Sequence, residues 1–158
     1  MFKKLLTTRS LCVSAVIAAL YAALTLLLYP ISYGNIQCRV SEALTLLPMI
    51  LPASIPGLFV GCLLANLLGG ATVWDIVFGS LATLIAAIGT YVLRKKPLLA
   101  ALCPVIANGV IVGAVLSFVW GLPLALTMAE VAIGEVGAVI IGFVMLAAIG
   151  KIDLSRFQ

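Results

Sequence analysis

Apolar residues fall in blocks along this chain, over 11–29, 43–51, 55–68, 76–93, 98–120 and 122–149, with polar positions gathered in the short segments between them. A helix that crosses a bilayer needs about 20 apolar residues, and the first, fourth, fifth and sixth blocks meet or approach that length. The first block follows Lys3, Lys4 and Arg9 as the core of a secretory signal would, but it is too long for one and is read as the first span. The stretch 41–69 is ambiguous. It carries Pro48, Pro52 and Pro56, and proline inside a helix removes a backbone hydrogen bond and collides with the preceding turn, so this stretch is either one kinked helix or two short ones.

Charge resolves that ambiguity. Eight of the nine cations lie in three clusters: Lys3, Lys4 and Arg9; Arg94, Lys95 and Lys96; Lys151 and Arg156. Basic clusters beside helix ends mark the cytoplasmic side, and all three share one side only if 41–69 crosses twice. The chain is therefore expected to be all-α, a six-transmembrane-helix bundle in a single integral membrane domain over 1–158. Its spans are expected at about 11–29, 42–52, 54–69, 75–93, 97–118 and 124–149, with N- and C-termini cytoplasmic. Composition agrees: 65% hydrophobic and 9% charged in 158 residues, with a mean hydropathy of +1.33, exclude a soluble domain. No soluble basic surface remains to bind nucleic acid.

Four cysteines without a C-x-x-C spacing imply no disulfide framework, and three of them read as small packing residues in apolar segments. Histidine is absent, which removes histidine metal sites and the commonest general base. Neither a phosphate-binding G-x-x-x-x-G-K-[ST] loop nor a G-x-S-x-G elbow occurs, so nucleotide hydrolysis belongs elsewhere and no residue pattern argues for an enzyme. No metal or cofactor is expected.

The acids carry the chemistry. Glu130 and Glu135 interrupt the last apolar block, where an ionised carboxylate near the bilayer centre costs at least about 2.5 kcal/mol, so such residues face a cavity, a partner charge or a ligand. Five residues apart on a helix, they project about 140° from one another, so one is expected to face a cavity while the other meets its edge or a neighbouring helix. In the expected topology Glu42, Asp75, Glu130, Glu135 and Arg39 collect in the outer half of the bundle. Arg39 and Glu42 stand three apart, with Ser41 as a candidate helix cap, and a simple ion pair at a helix start is the plainer alternative. Asp75 opens a helix, where the dipole alone favours a carboxylate. Asn66 and Asn108 are amides within apolar helices, suited to a ligand or to bonding between helices. Tyr33, Asn35 and Gln37 make the first outer loop rich in recognition groups, while Trp74 and Trp120 read as interfacial belt residues or as a stacking surface.

Ala15, Ala19 and Ala23, with Ala18 and Ala22 about 60° away, form a broad small-residue stripe on the first helix that suits a partner subunit. Gly57 with Gly61 and Gly109 with Gly113 repeat the small-x-x-x-small spacing of ordinary bundle packing.

Three segments together resemble the QueT family: Ile36-Gln37-Cys38-Arg39-Val40-Ser41-Glu42-Ala43-Leu44-Thr45-Leu46-Leu47-Pro48, Ala65-Asn66-Leu67-Leu68-Gly69-Gly70, and Asp75-Ile76-Val77-Phe78-Gly79-Ser80-Leu81-Ala82-Thr83. The similarity runs over nearly the whole chain, and Cys38 is a departure, standing where an aromatic residue is more familiar. The resemblance implies a substrate-binding S component of an energy-coupling factor (ECF) transporter for queuosine precursors such as preQ1 and preQ0. It further implies a transmembrane coupling subunit, met through the alanine stripe, and two cytoplasmic ATPase subunits. On this reading Glu135 or Glu130 takes the ring edge of the deazapurine and Glu42 or Asp75 its amine, with Asn108 and Asn66 as further partners. Arg39 either meets the ring carbonyl or pairs with Glu42. A stand-alone proton- or cation-coupled transporter using Glu130 and Glu135 is the competing expectation, weakened because the two halves lack matching interrupted helices.

Overall fold

The computed structural model describes residues 7–32 and 39–149. Among them the chain is all-helical. Helix α1 spans Thr8–Leu27 and is followed by a single turn, α2, at Tyr29–Ser32; a 3₁₀ helix covers Val40–Met49; α3 spans Ser54–Leu68. A π-helical turn at Asp75–Gly79 runs into α4, Ser80–Val92, followed by α5, Pro97–Trp120, and α6, Leu124–Ile149. Four stretches among the described residues are long and apolar enough to cross a membrane: Thr8–Leu27, Asp75–Val92, Pro97–Trp120 and Leu124–Ile149. Val40–Met49 and Ser54–Leu68 are shorter apolar helices.

The proline-rich stretch does break, at Ile50–Ala53, into two helices. Its first half is not α-helical. A 3₁₀ helix rises about 2 Å per residue against about 1.5 Å for an α-helix, so ten residues reach about 20 Å instead of about 15. Pro48 lies inside it, and residues 41–48 are buried throughout. Ser41 does not cap it, contrary to expectation: the Arg39–Ser41 end has no side-chain cap, and the Ser41 hydroxyl instead accepts a 2.7 Å hydrogen bond from Thr25 Oγ1 of α1.

Polarity is inverted relative to a water-soluble protein. Leu20, Ile85, Ile106, Ile133, Ile140 and Val144 are among many large apolar side chains on the exterior, whereas Thr25, Thr45, Asn66, Thr83, Thr90 and Glu42 are almost wholly enclosed. A continuous apolar exterior of this kind is stable only against lipid. The chain is a membrane protein.

Small residues set the helix crossings, as the paired glycines suggested. A Cβ at Gly61 would stand 2.8 Å from the Cβ of Tyr21 and 2.9 Å from the carbonyl oxygen of Ala18, and one at Gly57 would collide with the Ser14 carbonyl oxygen, so α3 lies directly on α1. Gly113 does the same for α5 against Met128 of α6, at 2.7 Å. Gly142 lets α6 close on the 3₁₀ helix, 2.7 Å from the Ala43 carbonyl oxygen. Gly121, with φ of 66°, supplies the left-handed residue that ends α5.

The alanine stripe is divided by this packing. Ala18 and Ala22 are buried in the chain's own core, taken up by the close approach of α3, and are unavailable to a partner. Ala15, Ala19 and Ala23 remain exposed.

A carboxylate-lined cavity

Three elements deliver polar groups to one place inside the bundle. The 3₁₀ helix brings Glu42 and, at its entry, Arg39; α5 brings Asn108; α6 brings Glu135. With Val112 and Val131 these line a small cavity of about 10 Å³, the room of a single water molecule. Asn108 and Glu135 lie near the middle of α5 and α6, so the cavity is deep within the apolar layer. All four polar residues are at least nine-tenths buried.

Each carboxylate is held by one oxygen and leaves the other open. Glu42 Oε1 accepts hydrogen bonds from the hydroxyl of Tyr21 and, at 2.9 Å, from Thr83 Oγ1, while its Oε2 has no partner. Glu135 Oε1 accepts from Asn108 Nδ2 at 3.0 Å, leaving Glu135 Oε2 and Asn108 Oδ1 without partners. A buried polar atom without a partner costs about 1 to 3 kcal/mol, and a charged one more, which a small ligand bearing donors would recover.

Tyr21 and Thr83 were not singled out from sequence, although they fix Glu42. The available signal was slight: Tyr21 is the one aromatic residue within an alanine- and leucine-rich helical run, and a buried tyrosine normally finds a partner for its hydroxyl. Thr83 also reaches Cys62 Sγ at 3.3 Å, and Cys62 is wholly buried beside Asn66 and Arg39.

The other expected site residues are placed differently. Glu130 is half-buried and outside the cavity lining, turned away from Glu135 by the five-residue offset. Asp75 is buried but does not line the cavity: its Oδ2 accepts from Thr72 Oγ1 at 2.9 Å, and its backbone N–H donates to that same hydroxyl at 3.3 Å. Asn66 likewise lies outside the lining and braces the π-helical turn, donating through Nδ2 to the Asp75 carbonyl oxygen at 3.1 Å. Gly79 makes room for this, since a Cβ there would lie 3.1 Å from Asn66 Nδ2. Single π-helical turns are uncommon and occur often at functional sites. Tyr33, Asn35 and Gln37 lie outside the described residues. Trp74 is exposed and stacks on Phe78, with ring centroids 5.9 Å apart, and Trp120 is exposed too; neither lines the cavity.

Asn66→Leu is expected to destabilise the protein by about 1 to 3 kcal/mol, because the buried Asp75 carbonyl loses its amide partner. The check is thermal unfolding in detergent; a melting temperature equal to wild type would show that the turn holds without the amide.

Comparison with known proteins adds the following. The model of the QueT transporter family matches residues 11–151. The chain is similar to "Queuosine precursor transporter QueT" of Lactococcus lactis subsp. cremoris (strain MG1363), at 33% identity over 159 residues, covering 90% of this chain and 93% of that protein. No solved structure matches.

Proposed function

Because this chain belongs to the QueT transporter family, a family of transporters and not of enzymes, we propose that it is the substrate-binding subunit of an ATP-driven ECF uptake system for a queuosine precursor of the preQ1 or preQ0 type. On this reading it is a six-span bundle with both termini cytoplasmic, and its cavity is loaded from outside. The bilayer is its solvent, and the ATPases and coupling subunit are separate chains. Ala15, Ala19 and Ala23 are the stripe residues left to meet the coupling subunit.

One observation carries the assignment of the site: two buried carboxylates, Glu42 and Glu135, each present an unpartnered oxygen at the same cavity as Asn108 and Arg39. A deazapurine offers matching groups. Its ring edge presents adjacent N–H donors, which a carboxylate accepts in parallel, and its carbonyl oxygen suits a guanidinium. Glu130, Asp75 and Asn66 have lesser claims, since none lines the cavity.

Calorimetry on the purified chain tests this. Binding of preQ1 or preQ0 at low micromolar concentrations or tighter is expected; failure of both while an unrelated vitamin binds tightly would overturn the substrate assignment. Uptake into proteoliposomes holding this chain alone, driven by a pH gradient without any ATPase, would favour the stand-alone transporter instead.

A further inference from the structure

Resting on that reading, we infer that the cavity is described in its closed form, and that it opens when α5 and α6 swing together away from the 3₁₀ helix about their ends beside the basic turn at 94–96, parting an aromatic latch between Trp74 and Phe118. The room at the carboxylates is that of one water molecule. A bicyclic ring is several times larger, so a wall must move before such a ligand enters.

Close contacts identify the wall that moves. The short turn at 121–123 makes α5 and α6 antiparallel neighbours. They are locked to each other at the level of the cavity, where a Cβ at Gly109 would lie 3.1 Å from the Ala132 Cβ and Asn108 donates to Glu135. Glu42 belongs to the opposite wall, tied to α1 by Tyr21 and to α4 by Thr83. These two walls are pinned at the end towards 94–96. There a Cβ at Gly142 would meet the Ala43 carbonyl oxygen at 2.7 Å, one at Gly89 would lie 2.9 Å from Cys103 Sγ, and Thr90 Oγ1 donates to the Ala100 carbonyl oxygen at 3.3 Å.

On the far side of the cavity the described contacts across the seam are between side chains. Ala82 of α4 clusters with Val112, Leu116 and Val131, and the exposed ring of Trp74 meets the exposed ring of Phe118 edge-on, with centroids 5.8 Å apart. Such contacts part at less cost than backbone seated on backbone, so the pinned end is the hinge and the aromatic pair the latch. A bound ring holds the seam apart, and the latch is therefore open in the bound form.

Phe118→Ala tests this, with whichever of preQ1 and preQ0 binds wild type as the probe. Removing a contact made only in the closed form should tighten binding several-fold, up to about tenfold, the scale of one aromatic pair. Surface plasmon resonance should place the gain in association, with dissociation unchanged; unchanged or weaker binding would overturn the inference. A second measurement does not depend on that variant. The chain has two tryptophans, so Trp120→Phe leaves Trp74 alone, and its emission should change on binding as it leaves Phe118; a silent Trp74 would count against the latch. Thirdly, Gly109→Cys with Ala132→Cys brings two Cβ atoms to within a few tenths of an ångström of disulfide range. The oxidised and reduced forms should bind alike, with wild type given the same oxidant as control, whereas binding lost on oxidation and restored by reductant would mean that α5 and α6 part from each other instead. Each of these failures leaves the proposed function standing. If wild type binds neither compound, the substrate assignment fails and takes the inference with it.

Discussion

Glu42→Ala is expected to weaken binding of the precursor by about a hundredfold. A hydrogen bond to a charged group contributes about 1.5 to 3 kcal/mol, and a factor of ten corresponds to about 1.4 kcal/mol, so loss of Glu42 Oε2 as a ligand contact accounts for most of this. The remainder comes from the network. Tyr21 loses its acceptor and Thr83 loses one of its two partners, so the wall is left with an unanswered Tyr21 hydroxyl as well as without its carboxyl group. Glu42→Gln separates the two contributions, since its amide oxygen still accepts from Tyr21 and Thr83 while the charge is gone; a fall of about tenfold is expected for it. Titration calorimetry on both variants, alongside their melting temperatures, distinguishes a ligand contact from a structural one. Wild-type affinity in Glu42→Ala would remove Glu42 from the site.

Gly61→Val is expected to produce the largest loss of stability, about 3 kcal/mol, the upper end of the usual cost of overpacking. A Cβ at Gly61 meets the Ala18 backbone and the Tyr21 Cβ at under 3 Å, and backbone cannot yield as a flexible side-chain end does. The only relief is for α1 to move off α3. That movement carries Tyr21 away from Glu42, so the variant should lose ligand affinity together with its melting temperature, although Gly61 lies outside the cavity lining. Valine tolerated at 61 with an unchanged melting temperature would show that α1 does not lie against α3 as described.

Much of the architecture could be read from the residues because it depends on long local runs. The apolar blocks around α1, α5 and α6 each declare a helix through length alone, and three prolines spaced four apart declare the break at Ile50–Ala53. The kind of helix before that break could not be read, since an i→i+3 ladder and an i→i+4 ladder draw on the same residues and the choice follows from what surrounds them. The π-helical turn was equally hidden, because its brace, Asn66, comes from another helix nine residues back. Glu135 and Glu42 stood out as charges in apolar surroundings. Their orienting partners did not, for tyrosine and threonine are unremarkable in a membrane helix until tertiary packing brings them to a carboxylate. Asp75 and Asn66 show the converse: polar residues conspicuous by position, whose described bonds are to nearby structure instead of the cavity.

The 3₁₀ helix bears on how the protein is made. A segment of ten residues is about half the length that a lone helix needs to span a bilayer, and because residues 41–48 are enclosed on every side it has almost no surface suited to lipid. It therefore cannot enter the membrane on its own merits. Its socket is built by all five of the longer helices, α6 foremost, and α6 is synthesised roughly ninety residues later. Glu42 must wait for that helix before its surroundings exist, so the binding site is completed only once α6 has been made, and a chain truncated before Leu124 would have no place to seat it.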